Sequence, residues 1–292
     1  MPVAQLNGTE IFYQRHGHGL PCLVMHGGLG CDHSYMHPWM DALGDTLELI
    51  YYDHRGNGRS GRPDLETLNF EQFAADADAL REYLGFETIA VLGSSYGGFI
   101  AQEYAIRYPN RVSHAIFMDT APAFDYAEEV KFHATRKGAT PEMLKVLDAL
   151  EPETDEDFAK MMDLLGPLYY FNFDPDLAAR AMGNTVYCGS AARRGMKLLE
   201  GWDTRPRLHQ VRAPTLVLVG RDDYITPPNK SEDIQRHIPG AKLVIFEQSG
   251  HMPHLEEPEA FFTTIRDFVR QSNSQHSHQQ PKLEEVKLEG TI

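Results

Sequence analysis

The sequence predicts an α/β fold: a mostly parallel central sheet with helices on both faces and one inserted block of helices. Two observations carry this. Six apolar runs bounded by Gly, Pro and Asp, at 22–25, 47–52, 88–92, 115–118, 215–219 and 243–246, recur with helical segments between them, the pattern of a parallel sheet covered on both sides. Between residues 122 and 206 this rhythm stops and helix starts take over.

The elements follow in chain order. Asn7-Gly8 between two short apolar runs fits the positive φ angles of a two-residue hairpin turn, so the sheet begins antiparallel. Phe70, Phe73, Ala77, Leu80 and Leu84 repeat at three- and four-residue steps between Asn69 and Gly85, a capped and terminated helix over 70–84. In the insert, Thr140-Pro141-Glu142 and Thr154-Asp155-Glu156-Asp157 read as helix starts. Phe261, Phe262, Ile265 and Phe268 mark a last helix over 259–270. Beyond it the composition turns to Ser, Asn, Gln and His without an apolar stripe, so 272–292 is expected to be a disordered tail. The expected division is a core of 1–121 and 207–271 with the insert at 122–206.

Composition narrows the function classes. With 27 basic and 42 acidic residues the formal charge is −15, a surface that repels phosphate backbones and anionic membranes. Neither a run of about 18 apolar residues nor a basic start before an apolar block is present, so a soluble, cytoplasmic protein is expected. Cys22, Cys31 and Cys188 are odd in number and unclustered, hence expected as buried thiols rather than a disulfide or zinc framework.

Gly93-Ser94-Ser95-Tyr96-Gly97 lies between the run at 88–92 and a helical stretch. Glycines two residues either side of Ser95 remove side chains that would clash in a sharp strand-to-helix turn, leaving the hydroxyl exposed as a nucleophile. A serine hydroxyl needs a base, itself oriented by a carboxylate. His251, on the loop after the last predicted strand, is the candidate base, and Asp223, after the run at 215–219, the candidate acid; Asp222 and Asp119 are the other carboxylates at strand ends. The developing oxyanion needs preorganised N–H donors: Tyr96, after the nucleophile, and Gly28 in His26-Gly27-Gly28-Leu29-Gly30.

In motif content and order the chain resembles the α/β-hydrolase superfamily over residues 4–271, nearest its proline-iminopeptidase-like and small-esterase branch. Asp53-His54-Arg55-Gly56-Asn57-Gly58-Arg59-Ser60 resembles a loop found after an early strand in many members. The resemblance implies that the insert is a helical lid and that Tyr169, Tyr170, Phe171, Phe173 and Trp202 line a pocket over Ser95. It also implies catalysis without cofactor or metal. The acidic run at 151–157 reads as a solvated face, or as an anchor for a substrate ammonium group.

Two other chemistries are weighed and set aside. Gly56-Asn57-Gly58-Arg59-Ser60-Gly61 matches a dinucleotide fingerprint, but Arg62-Pro63-Asp64 does not open the helix that a pyrophosphate requires. His16, His18, His33 and His37 lack the spacing of a metal-binding motif. The expected function is therefore a serine hydrolase of a small carboxylic ester or lactone. The alternatives are an aminopeptidase releasing N-terminal proline, and a ligand-binding protein on the same fold. Pocket shape, physiological substrate and oligomeric state have no signature in the sequence.

Overall fold

The computed structural model describes residues 2–279 of the chain. Eight strands form one sheet in the order β1-β2-β4-β3-β5-β6-β7-β8. The opening strands β1 (Val3–Leu6) and β2 (Thr9–Gly17) form the hairpin expected at Asn7-Gly8, with both turn residues at positive φ (47° and 77°). Strand β2 pairs antiparallel with β4 (Leu47–Tyr52), and β4 pairs parallel with β3 (Leu20–Met25). From there β5 (Ile89–Ser94), β6 (Val112–Met118), β7 (Thr215–Gly220) and β8 (Lys242–Phe246) continue parallel.

The parallel strands are near-continuous apolar runs because both faces are covered. Leu23, Met25, Val91 and Phe117 pack on one face, with α1 (Phe70–Tyr83) and α2 (Tyr96–Arg107). Their neighbours Cys22, Val24, Leu92 and Ile116 pack on the other, against Phe261, Ile265 and Phe268 of α10 (Pro258–Gln279). This is the two-residue period of a strand. Helix α1 is capped as expected, Asn69 accepting from the Gln72 N–H. Helix α8 (Pro228–His237) covers β7 and β8, and α9 (Pro253–Glu256) precedes α10.

Between β6 and β7 run five helices: α3 (Ala127–Arg136), α4 (Pro141–Asp148), α5 (Asp155–Leu165), α6 (Pro175–Met182) and α7 (Gly189–Leu198). Thr140 and Thr154 cap α4 and α5. Helix α10 runs to Gln279 and so takes in residues 272–279 of the stretch expected as a disordered tail. A polar sequence lacks a packing stripe but does not by itself stop a helix. The remainder of that expectation, 280–292, lies outside the described residues. All three cysteines are buried and free, and burial pushes the Cys22 thiol up to about 12. Among the described residues no helix is long and apolar enough to cross a membrane.

Candidate active site

Parallel neighbours end at one edge of the sheet, which is where α/β sites are built. Strands β3, β5, β6, β7 and β8 deliver Gly28, Ser95, Asp119, Asp223 and His251 to that edge. Ser95 holds φ +54° between β5 and α2, a left-handed conformation strained for a non-glycine residue. The turn is held by the Ser95 N–H donating to the Met118 carbonyl (2.9 Å) and the Thr120 hydroxyl donating to the Ser95 carbonyl (2.8 Å). The glycine requirement is steric: a Cβ on Gly93 would lie 2.4 Å from the Gly97 carbonyl oxygen, and one on Gly97 2.1 Å from that of Met25.

His251 is buried, and its Nδ1 lies 2.7 Å from Asp223 Oδ2. A carboxylate only accepts, so Nδ1 carries the proton and Nε2 is left as the basic nitrogen. The carboxylate is fixed in turn. Its Oδ1 accepts from the N–H groups of Ile225 (2.9 Å) and Thr226 (3.0 Å), and its Oδ2 from the Thr226 hydroxyl (2.7 Å). Asp222 is engaged elsewhere, paired with Lys137. Asp119, the remaining candidate acid, lies beside the pair: one oxygen of each carboxyl and one ring nitrogen of His251 fall within 4.8 Å of one another. This is the one such group of potential metal ligands among the described residues, and a cation there would compete with the His251–Asp223 bond.

Tyr96 heads α2, so its N–H has no intrahelical acceptor and stands at the positive end of the helix dipole. Gly28 adopts φ +57° in the loop after β3. That loop lies against the elbow, since a Cβ on Gly27 would meet Ser95 Cβ at 2.7 Å. The residues 53–60 serve as its buttress. Asn57 Oδ1 accepts from the Gly30 N–H, and buried Asp53 accepts from His33 Nδ1 (2.6 Å) and the Arg59 N–H (2.8 Å). His33 is thus engaged by a carboxylate, while its ring also neighbours that of His37 (6.2 Å between centroids).

The aromatic residues singled out in the insert separate. Tyr169 packs its ring on His251 (5.3 Å between centroids) and Tyr224 (5.4 Å). It also borders, with Tyr170, Phe173 and Met252, a cavity of about 460 Å³. Phe171 is half exposed. Trp202 is turned elsewhere: it stacks on Phe70 and Phe99, and its indole N–H donates to Glu103 (3.0 Å). Trp202 is not among the described residues that border this cavity, and its contacts fasten the end of the insert to α2. Three carboxylates of the acidic run are likewise spent on structure. Asp155 pairs with Arg62, Glu156 with Lys160, and Asp157 accepts from the Thr154 N–H.

Two residues without a sequence signal tie the insert to the loops that carry His251 and Asp223. Glu256 Oε1 accepts from the N–H groups of Phe171 (2.7 Å) and Asn172 (3.1 Å), and Oε2 from that of Gly250 (2.8 Å). Burial raises its carboxyl above the usual range despite these bonds. Lys137 donates to the Tyr170 carbonyl (2.9 Å) while pairing with Asp222. Both act between segments far apart in sequence, which no local pattern announces.

The comparisons with known proteins agree with this architecture. The family described as alpha/beta hydrolase fold matches residues 21–258. The chain is 33% identical over 278 residues to the proline iminopeptidase PfmaB of Pestalotiopsis fici, covering 91% of this chain and 98% of that protein. It is 28% identical over 295 residues to a proline iminopeptidase of Saccharolobus solfataricus, covering 90% of each. The crystal structure of the enol-lactonase from Burkholderia xenovorans LB400 superposes with a TM-score of 0.70 at 25% identity, covering 92% of this chain and 100% of that one. The chain belongs to the α/β-hydrolase family, near its proline-iminopeptidase branch, and is an enzyme of the hydrolase class.

Proposed function

We propose that the enzyme is a serine hydrolase of small carboxylic esters or lactones, working through an acyl-enzyme with Ser95, His251 and Asp223 as its triad. The observation that carries this reading is the 2.7 Å bond from His251 Nδ1 to Asp223, with Ser95 held at a strained elbow after β5, at the same edge of the sheet. Ser95 Oγ attacks the carbonyl carbon while its proton passes to His251 Nε2. The N–H groups of Gly28 and Tyr96 stabilise the oxyanion. His251 then returns the proton to the leaving alkoxide oxygen, and water, deprotonated by the same base, releases the acid. No step calls for a metal or cofactor.

The insert acts as a lid, and the cavity bordered by Tyr169, Tyr170 and Phe173 takes the apolar part of a small-molecule substrate. Its lining supports an uncharged substrate, since Asp163 is the single carboxylate among the described lining residues. A second reading, release of an N-terminal proline, is favoured by the names of the two relatives above. On that reading Asp163, the carboxylate that borders the cavity, would bind the ammonium group. Ser95→Ala is expected to abolish hydrolysis of p-nitrophenyl acetate, a loss on the order of 10⁴-fold or more; unchanged turnover refutes the assignment. Faster cleavage of proline p-nitroanilide than of the ester, blocked by N-acetylation, selects the aminopeptidase.

A further inference from the structure

The loop that carries Gly28 is rich in glycine, whose backbone turns freely unless something outside the loop holds it. Two side chains do so. The Gly30 N–H donates to Asn57, and the Gly27 N–H donates to the hydroxyl of Tyr35 (2.7 Å). Tyr35 closes the buried helical turn His33–Tyr35 that follows the loop. Gly27 is wedged between this hydroxyl and the elbow, since a Cβ on it would lie 3.0 Å from the Tyr35 oxygen and 2.7 Å from Ser95 Cβ. Burial raises the hydroxyl above its usual range, so it keeps its proton and can donate as well as accept. Its other hydrogen-bonding neighbour is the Ser94 side chain, next to the nucleophile. The Tyr35 carbonyl accepts from His254 Nε2 (3.3 Å); burial pushes that imidazole down to about 4, so its single N–H faces the carbonyl. One residue thus meets the oxyanion loop, the elbow and the segment after His251, and the mechanism above gives it no part.

We propose that Tyr35 is a positioning residue for the oxyanion hole: its hydroxyl fixes the Gly27-Gly28 backbone against Ser95, so that the Gly28 N–H is aimed before substrate arrives. This rests on the triad reading above. A donor acts on a developing oxyanion only within about 2.7–3.1 Å of it, and a displacement of about 1 Å can cost about 10²-fold in rate. With the N–H groups of Gly27 and Gly30 both tied, the backbone between them has little freedom to turn Gly28 away. Without the hydroxyl, the Gly27 N–H is left without its partner, a cost the loop relieves by shifting. The shift carries Gly28 with it. Tyr35 therefore acts through Gly28 and not on the reacting atoms.

The test is Tyr35→Phe on p-nitrophenyl acetate, with Ser95→Ala as control. Phe keeps the ring and the carbonyl that meets His254 and removes the hydroxyl alone. We expect kcat to fall about 10- to 100-fold with KM changed less than about twofold. A second readout separates positioning from packing. Trifluoroacetophenone, to which Ser95 adds to leave an oxyanion in the same hole, should lose affinity by the factor that kcat/KM loses, while the corresponding alcohol, which forms no oxyanion, should bind as before. A folded Tyr35→Phe enzyme with unchanged kcat and unchanged ketone affinity overturns the proposal, whatever its Tm. Activity surviving Ser95→Ala instead overturns the triad reading beneath it. If Tyr35→Phe does not fold, Ser94→Ala decides: it removes the hydroxyl's other partner and should lower kcat and ketone affinity together, about three- to tenfold, and no change in either counts against the proposal.

Discussion

The carboxyl edge of the sheet and the helical insert above it are held by different forces. At the edge, backbone meets backbone: a Cβ on Gly220 would lie 1.8 Å from the Gly250 carbonyl oxygen, and one on Gly97 2.1 Å from that of Met25. In the insert, α4 buries no residue, α6 buries only Ala181, and Gly166 has nothing within 4 Å of where its Cβ would be. Other parts of the insert join the main core through Val130, Leu165, Leu168 and Ala191, and polar ties through Glu256, Lys137 and Trp202 fasten it further. Backbone positions at the edge are set by sterics, whereas α4 and α6 of the insert are held more loosely. On the proposed function this division would put chemistry at the edge and selectivity in the insert, and each half can be tested.

The largest contrast is in stability. Gly97→Ala forces the elbow against β3 and is expected to cost about 1–3 kcal/mol or more. Gly166 has ordinary helical backbone (φ −43°) and open space, so Gly166→Ala should be neutral or stabilise by about 0.4–1 kcal/mol through a less flexible unfolded chain. Thermal denaturation of the two variants checks this, at about 2–4 °C per kcal/mol for a domain of this size. Similar shifts for both would erase the contrast.

The same contrast explains what could be read in the sequence. The elbow, the loop of Gly28 and the order of Ser95, Asp223 and His251 were legible because each depends on a short motif beside an apolar run: glycine where a side chain cannot fit, a polar residue where a strand ends. The capped starts of α4 and α5 were legible for a similar reason, as Thr140 and Thr154 satisfy N–H groups three residues on. The partners of Trp202 were not legible, because an aromatic residue in the insert carries no local mark of its partner, and Glu103 lies on α2, far away in sequence. Asp119 was recognisable as a strand-end carboxylate, but its nearness to His251 depends on the register of β6 against β7. The links through Glu256 and Lys137 are equally non-local.

A smaller effect tests how the insert's return segment is fastened. Glu103 is buried on α2; burial alone would raise its carboxyl, but the hydrogen bonds and charge of Arg207, the Trp202 N–H and the charge of Arg107 outweigh it and hold the group below 4.5. The folded state therefore binds its proton less readily than the unfolded chain, so the contribution of Glu103 is complete above about pH 4.5 and is lost as pH falls through the folded value. Glu103→Gln should lower stability at neutral pH and flatten the decline between about pH 5 and the folded value, measured as Tm against pH. Parallel curves for the two proteins would mean that Trp202 and Arg207 anchor the insert without this charge.

The smallest effect falls on the cavity itself. Phe173 is 40% exposed, borders the cavity and touches Tyr170 at 5.7 Å between ring centroids, so it contributes little to folding while offering apolar surface to a ligand. Phe173→Ala should raise KM for a longer-chain p-nitrophenyl ester about fivefold, equivalent to about 1 kcal/mol. For the acetate, KM should stay the same, because a short acyl group does not reach the ring. In both cases kcat should hold, since the lost contact is made equally in the ground state and the transition state. A fall in kcat with unchanged KM would mean that the insert shapes the reacting geometry as well, and that selectivity and chemistry are not divided between the two regions.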